Sequence, residues 1–256
     1  MVLPPYFFSI SCPVNHLKSI FVKKGYQKLY TLNSILMKDS KICVSIGDLS
    51  YNEIAEQLKR IDFAEIRLDL LNITEQELKS IFESHSNLIA TCRKTNLTDK
   101  KRIESLSNAL RWGAAYVDIE LELESKFRKP IVELAHQLNK KVIISYHNFK
   151  ETPDKKELHK IIKHAIKNGG DYVKVACKVA SSEDSARILG LYADFSNVIA
   201  IGMGSGGIIT RVTAPLMGAP FTYASLPGKE TAPGQLDENQ LSTIINLLEQ
   251  FTSGKK

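Results

Sequence analysis

Residues 142–176 read VIISYHNFKETPDKKELHKIIKHAIKNGGDYVKVA. Two apolar runs, at residues 142–145 and 172–176, flank a stretch in which Ile161, Ile162, Ala165 and Ile166 share one helical face. Both runs are nearly continuous in apolar residues, the mark of a strand covered on both faces. Thr152-Pro153 reads as an N-cap followed by a first-turn proline. Gly169-Gly170 reads as the stop of the helix. The stretch is therefore a strand, a helix and a second strand, and such a crossover makes the two strands parallel.

The same unit repeats along the chain. Further strand candidates are residues 42–46, 63–68, 88–92, 116–119, 198–201 and 221–224. Between them, Ile54, Leu58 and Ile61 share a helical face, as do Ile103, Leu106 and Leu110, and Leu241, Ile244, Ile245 and Leu248. About eight strand–helix units in succession predict a (β/α)8 TIM barrel, a fold that fits a chain of 256 residues as a single domain. An open doubly wound sheet is the alternative. No G-x-G-x-x-G follows the first strand and no G-x-x-x-x-G-K-[ST] occurs, so a dinucleotide or nucleoside-triphosphate fold has no support.

We expect the barrel to occupy residues 39–256, with residues 1–38 an extension that is loosely ordered or not native, and Met37 the natural start. Residues 1–20 are apolar but lack the basic start, clean apolar core and small-residue cleavage site of a secretion signal. The net charge of +6 is mild, and lysines alternate with acids, as in Asp154-Lys155-Lys156-Glu157. That describes solvated helix faces rather than a nucleic-acid stripe. No apolar run reaches the roughly 18–20 residues needed to cross a membrane. Cys12, Cys43, Cys92 and Cys177 are far apart, in no metal-ligand spacing. They read as reduced thiols of a cytoplasmic protein.

In a barrel the chemistry sits at the carboxyl ends of the strands. Those positions hold Ser45, then Glu65, Arg67 and Asp69, then Arg93, Asp118 and Glu120, His147, Lys174, and Arg211 after a Gly-rich 202–207 loop. Lys174 interrupts an apolar run. Its head must either escape to water or be held partly neutral, and a neutral amine is a nucleophile toward a carbonyl carbon. His147 lies one repeat earlier, on the neighbouring strand, where an imidazole can move protons in both directions. Arg67, Arg93 and Arg211 converge from separate strand ends, which suits capture of a carboxylate, with at least one expected to be occupied by a neighbouring acid. Period-two alternation puts Glu65, Arg67 and Asp69 on one face. For Asp118 a structural hydrogen-bonding role is expected. The 202–207 glycines read either as a phosphate cradle or as backbone freedom near a ligand.

Several segments then occur in one order: Glu65-Ile66-Arg67-Leu68-Asp69, Ser145-Tyr146-His147-Asn148-Phe149 with Thr152-Pro153, Lys174-Val175-Ala176, Gly207-Ile208-Ile209-Thr210-Arg211, and Ala232-Pro233-Gly234-Gln235. From residue 41 onward the chain resembles the type I 3-dehydroquinate dehydratases, the Schiff-base dehydratases of the shikimate pathway. The resemblance implies syn elimination of water from 3-dehydroquinate without metal or organic cofactor, in a cytoplasmic homodimer. It implies that Lys174 forms the imine, that His147 removes the C2 proton and protonates the departing C1 hydroxyl, and that Arg211 binds the substrate carboxylate. It places Glu65, Arg67 and Arg93 at substrate-hydroxyl and site-organising positions. It makes Ser45, Thr231 and Gln235 further polar contacts, the last two on a closing loop.

The chain departs from that pattern at three single positions and in one segment. Thr231, Thr210 and Gly202 stand where the family has serine. The segment after Arg93 lacks the family's glycine-containing loop with its glutamate, so the tuning of His147 is expected either to pass to Asp99, Glu104 or Glu120 or to be weaker. Two rival readings stay open at this point: another Schiff-base barrel of the class I aldolase type, and a catalytically silent barrel that binds a small acid.

Overall fold

The computed structural model describes residues 42–252 apart from Asn96. The expected extension at residues 1–38, with Cys12, lies outside the described residues. Strands β1 Ile42–Ile46, β2 Ala64–Arg67, β3 Leu88–Thr91, β4 Tyr116–Glu120, β5 Lys141–Asn148, β6 Tyr172–Lys178, β7 Val198–Met203 and β8 Thr222–Ser225 alternate with helices. The helices are α1 Tyr51–Leu58, α2 Glu75–Ser84, α3 Asp99–Arg111, α4 Ser125–Gln137, α5 Lys155–Lys167, α6 Ser182–Leu189, α7 Ile208–Thr213 and α8 Glu238–Thr252. Every strand pairing is parallel, and the order runs β7-β6-β5-β4-β3-β2-β1-β8. Among the described residues no ladder joins β7 to β8, so the eight strands form a nearly closed barrel. The expected (β/α)8 architecture is present.

Local signals start the helices. Ser50 and Thr74 cap α1 and α2 in reciprocal capping boxes with Glu53 and Glu77. At α5 the cap is Asp154, whose side chain accepts from the Glu157 N–H, rather than Thr152. Thr152 instead donates its hydroxyl to the Lys178 carbonyl at 2.7 Å, tying the loop to β6. Gly169, at φ 90°, ends that helix in the left-handed region, as expected of a C-terminal glycine.

Strands β5 and β6 outrun their apolar segments. Their ladder continues through His147 opposite Ala176 and Asn148 opposite Cys177. Backbone pairing, which is blind to side-chain polarity, sets the ends of these strands.

Strict alternation divides the core in two. On β6, Val173, Val175 and Cys177 face the helices, while Ala176 joins the barrel interior. The interior floor is aromatic. Phe63, Tyr116, Tyr172 and Phe221, at the starts of their strands, interlock with ring centroids 4.9–6.3 Å apart. Cys43, Ile89, Ile143 and Ile199 belong to the same cluster. This apolar plug closes the amino end of the barrel and leaves polar inward positions only toward the carboxyl end.

The Gly-rich turn after β7 is dictated by close backbone approach. A Cβ on Gly207 would lie 2.3 Å from the Gly202 carbonyl oxygen. The Gly202 N–H is taken by Thr210 Oγ1 at 2.8 Å, and the Gly207 N–H by the Gly204 carbonyl. Two of the turn's donors are thus committed internally, which favours backbone freedom over a phosphate cradle.

Candidate active site

Lys174 sits in the middle of β6, opposite Ser145 on β5 and Ile199 on β7. It is only 7% exposed. Its Nζ lies 3.4 Å from Glu65 Oε1, 3.5 Å from Asp118 Oδ2 and 3.9 Å from the centre of the Tyr223 ring. The apolar pattern of the strand offered two outcomes, escape to water or a bare amine in a dry pocket. The barrel supplies a third, a buried head flanked by two carboxylates and an aromatic face.

Those carboxylates are themselves held. Glu65, on β2, accepts from Ser45 Oγ at 2.6 Å and from Thr91 Oγ1 at 2.9 Å. Burial pushes its pKa up, but Lys174, Arg67 and Arg93 outweigh burial and hold it lowered. Asp118, on β4, accepts both terminal nitrogens of Arg93, at 2.9 and 2.6 Å, and Ser145 Oγ at 2.6 Å. Against the opposing effect of burial, Arg93 and Lys174 hold its carboxyl well below the usual range. The structural role expected of Asp118 is present, joined to a contact with Lys174. Asp118→Asn should therefore destabilise the fold by about 3–5 kcal/mol, because it leaves Arg93 without its buried counter-charge. A urea midpoint within experimental error of the parent would contradict this.

The three arginines divide. Arg67 forks onto Asp69 at 3.1 and 2.7 Å. β2 ends at Arg67, so Asp69 stands in a short 3-10 turn instead of on the strand face. Asp69 also accepts the Arg93 N–H, at 3.1 Å. Arg93 is spent on Asp118. Arg211, on α7, is different. It is 2% exposed, no described residue gives its guanidinium a hydrogen bond or ion pair, and its Nε lacks any partner. Burial alone pulls its pKa down to about 10. A buried cation without an anion is costly, and such a position suits an anion supplied from outside.

His147 projects from β5 toward the mouth, its ring stacked on Phe149 at 6.2 Å and 12°. Burial, then Arg93 and Lys174, depress its pKa well below the usual imidazole value, with Asp118 opposing. The three acids expected to tune it are placed as follows. Asp99 and Glu120 both bind Arg102, and Glu104 is exposed on α3. Among carboxylates, Asp118 makes the leading contribution that opposes the fall.

This fixes a pH dependence. The folded imidazole takes its proton at lower pH than an unfolded one, which titrates near ~6.5. As pH falls below ~6.5 the unfolded chain gains the proton first, so stability falls through that window until folded His147 titrates. A base at this position keeps its lone pair to lower pH than usual. The acid limb of kcat/KM should therefore lie below pH ~6.5, and a limb at or above that value would contradict the neutral imidazole.

A loop after β8 roofs the pocket. Thr231 Oγ1 lies 2.9 Å from Ser45 Oγ and 3.1 Å from Gln235 Oε1. Ser45 donates to Glu65, so it accepts from Thr231, and the roof is tied to the floor through Thr231, Ser45 and Glu65. The Gly204 N–H donates to the Pro233 carbonyl at 3.1 Å. Gly234, at φ 72°, passes so near that a Cβ would stand 2.3 Å from the Gly204 carbonyl oxygen.

One pocket is lined by all nine residues singled out in the sequence: Ser45, Glu65, Arg67, Arg93, His147, Lys174, Arg211, Thr231 and Gln235. Sequence reading missed Tyr223, Phe149 and Met203, which line it too. Tyr223 was legible in principle, since alternation along β8 puts it on the same face as Phe221. Thr91, which anchors Glu65, carried no signal in the sequence, and Ser145, which anchors Asp118, stood in a motif without an assigned role.

Residues 42–252 match the family described as Type I 3-dehydroquinase. A 3-dehydroquinate dehydratase of Methanococcus maripaludis (strain C7) is 35% identical over 218 residues, covering 82% of this chain and 96% of its own. That of Pyrococcus abyssi is 35% identical over 208 residues, covering 78% and 94%. Among solved structures, the 3-dehydroquinate dehydratase of Aquifex aeolicus VF5 has a TM-score of 0.69 at 27% identity, covering 80% and 97%.

Proposed function

The chain belongs to the type I 3-dehydroquinase family, and from that premise we infer that Lys174, His147 and Arg211 divide the work of its reaction. The reaction is the dehydration of 3-dehydroquinate to 3-dehydroshikimate, a hydro-lyase step of the shikimate pathway. Membership decides for dehydration over aldol cleavage.

The observation that carries the residue assignment is that a buried lysine and a buried, unpaired arginine open into one pocket. Arg211 receives the substrate carboxylate and gains the counter-charge it lacks. The Lys174 amine, as free base, adds to the ketone carbon. With one proton taken up and one water released, a cationic imine forms. That cation acidifies the neighbouring C2–H, and His147, being neutral, removes the proton to give an enamine. The enamine expels the C1 hydroxyl, which leaves as water with the proton now on His147. Water then hydrolyses the imine and frees Lys174. Glu65, Arg67 and Arg93 orient the hydroxyls and the reacting side chains. Thr231 and Gln235 hold the roof against bulk water.

Intact mass after borohydride treatment in the presence of 3-dehydroquinate tests this. A reduced adduct mapped to Lys174 supports it, and an unmodified chain that still turns over substrate overturns it. We further read the enzyme as a cytoplasmic homodimer. The buried free thiols of Cys43, Cys92 and Cys177 support a reducing compartment, and the family resemblance supports the dimer. Sedimentation velocity at the monomer mass would remove the second part.

A further inference from the structure

Tyr223 is a neighbour of the Lys174 head that neither sequence motifs nor the reaction scheme account for. It comes from β8, opposite Cys43 on β1, and turns inward with Phe221, whose ring braces it at 5.5 Å and 60°. It is 2% exposed, and its hydroxyl has no hydrogen-bond partner among the described residues. A buried phenol without a partner is unfavourable, so hydrogen bonding does not explain this residue. What the phenol does offer is its face, with Lys174 Nζ 3.9 Å from the ring centre.

The three neighbours of Nζ respond differently to imine formation. An ammonium has three N–H donors, whereas a protonated imine has one. Of Glu65 and Asp118, at most one can keep a direct hydrogen bond to that nitrogen. Attraction to the ring depends on positive charge near its face and not on the number of protons. It therefore survives the change from ammonium to iminium and is lost only when the nitrogen becomes neutral, as in the enamine. Both partners are buried and the ring is braced, conditions under which such contacts are strongest.

We propose that Tyr223 is a positioning residue for the Schiff base, its ring face holding the Lys174 nitrogen in register and favouring the cationic imine over the neutral states of the cycle. The proposal rests on the assignment of Lys174 as the imine-forming residue. Its motivating facts are the 3.9 Å contact and the orphaned hydroxyl.

The test is the rate of borohydride trapping at Lys174 under saturating 3-dehydroquinate, per mole of folded enzyme. Tyr223→Leu should lower it about tenfold, or ~1.4 kcal/mol. That lies within the range of a desolvated cation–ring contact. KM should move less than the trapping rate, because the substrate carboxylate site is elsewhere. Tyr223→Phe, which restores the ring without the hydroxyl, should recover most of the loss. Equal trapping in Tyr223→Leu and the parent would overturn the proposal, as would a Tyr223→Phe variant as impaired as Tyr223→Leu. Should the leucine variant not fold, phenylalanine at 223 carrying one, two or three ring fluorines gives the same reading at nearly constant shape. Trapping should decline stepwise with each fluorine, and a flat series overturns the proposal. Failure of the parent enzyme to form any adduct would instead strike at the Lys174 assignment.

Discussion

Lys174→Ala should abolish the borohydride-trapped adduct and lower kcat by roughly a thousandfold or more, equivalent to ~4 kcal/mol of barrier. Lys174 is 7% exposed, and its head meets Glu65, Asp118 and the Tyr223 ring. Without the iminium, the electrons released by C–H cleavage have only the ketone oxygen to receive them. A cationic imine nitrogen is a far better electron sink than a neutral ketone oxygen. The variant also leaves Glu65 and Asp118 with one cation fewer. A volume-matched Lys174→Met should accompany it, with folding checked by denaturant titration. If either variant, folded, retains turnover within tenfold of the parent, the Schiff-base assignment fails.

Arg211→Met should separate binding from stability, because the two effects have opposite signs. Truncating a desolvated charge partner of an anion costs about 2–5 kcal/mol, which corresponds to a rise in KM from roughly thirtyfold to a few thousandfold. Stability should stay level or rise. The guanidinium is 2% exposed and unpaired, with its pKa already pulled down to about 10 by burial, so an apolar side chain of similar volume relieves a desolvation cost. Arg93, half-buried, makes the contrast. Its removal would break the fork onto Asp118 and loosen the fold. An Arg211→Met enzyme with unchanged KM, or one that unfolds more readily than the parent, would show that Arg211 supports the barrel and does not receive substrate.

The two arginines also show how far the chain could be read in advance. Both were legible as cations at strand ends. Which one was spoken for was not, because the answer lay in Asp118, a residue 25 positions from Arg93. The barrel itself was plain from repeated apolar runs and helical faces, since period and burial are written into local sequence. What stayed hidden was of a single kind. Thr152 was read as a cap from its dipeptide, whereas its hydroxyl is drawn to Lys178 on the next strand. Asp99, Glu104 and Glu120 were candidates to act on His147 by proximity in sequence and strand order. Arg102, folding back from α3, occupies two of them.

By itself, then, the order of residues settled the alternation of strands and helices, the parallel barrel and the set of side chains at its mouth. These depend on hydrophobic period and on which residue follows which. Only the folded chain decided the charge relations inside that mouth. It paired Arg67 and Arg93, left Arg211 open, set Lys174 among two carboxylates and a ring, and drew His147 below its usual pKa. Such relations fall off over a few ångströms and depend on how much water is excluded, so they belong to distances between strands that sequence separation does not encode.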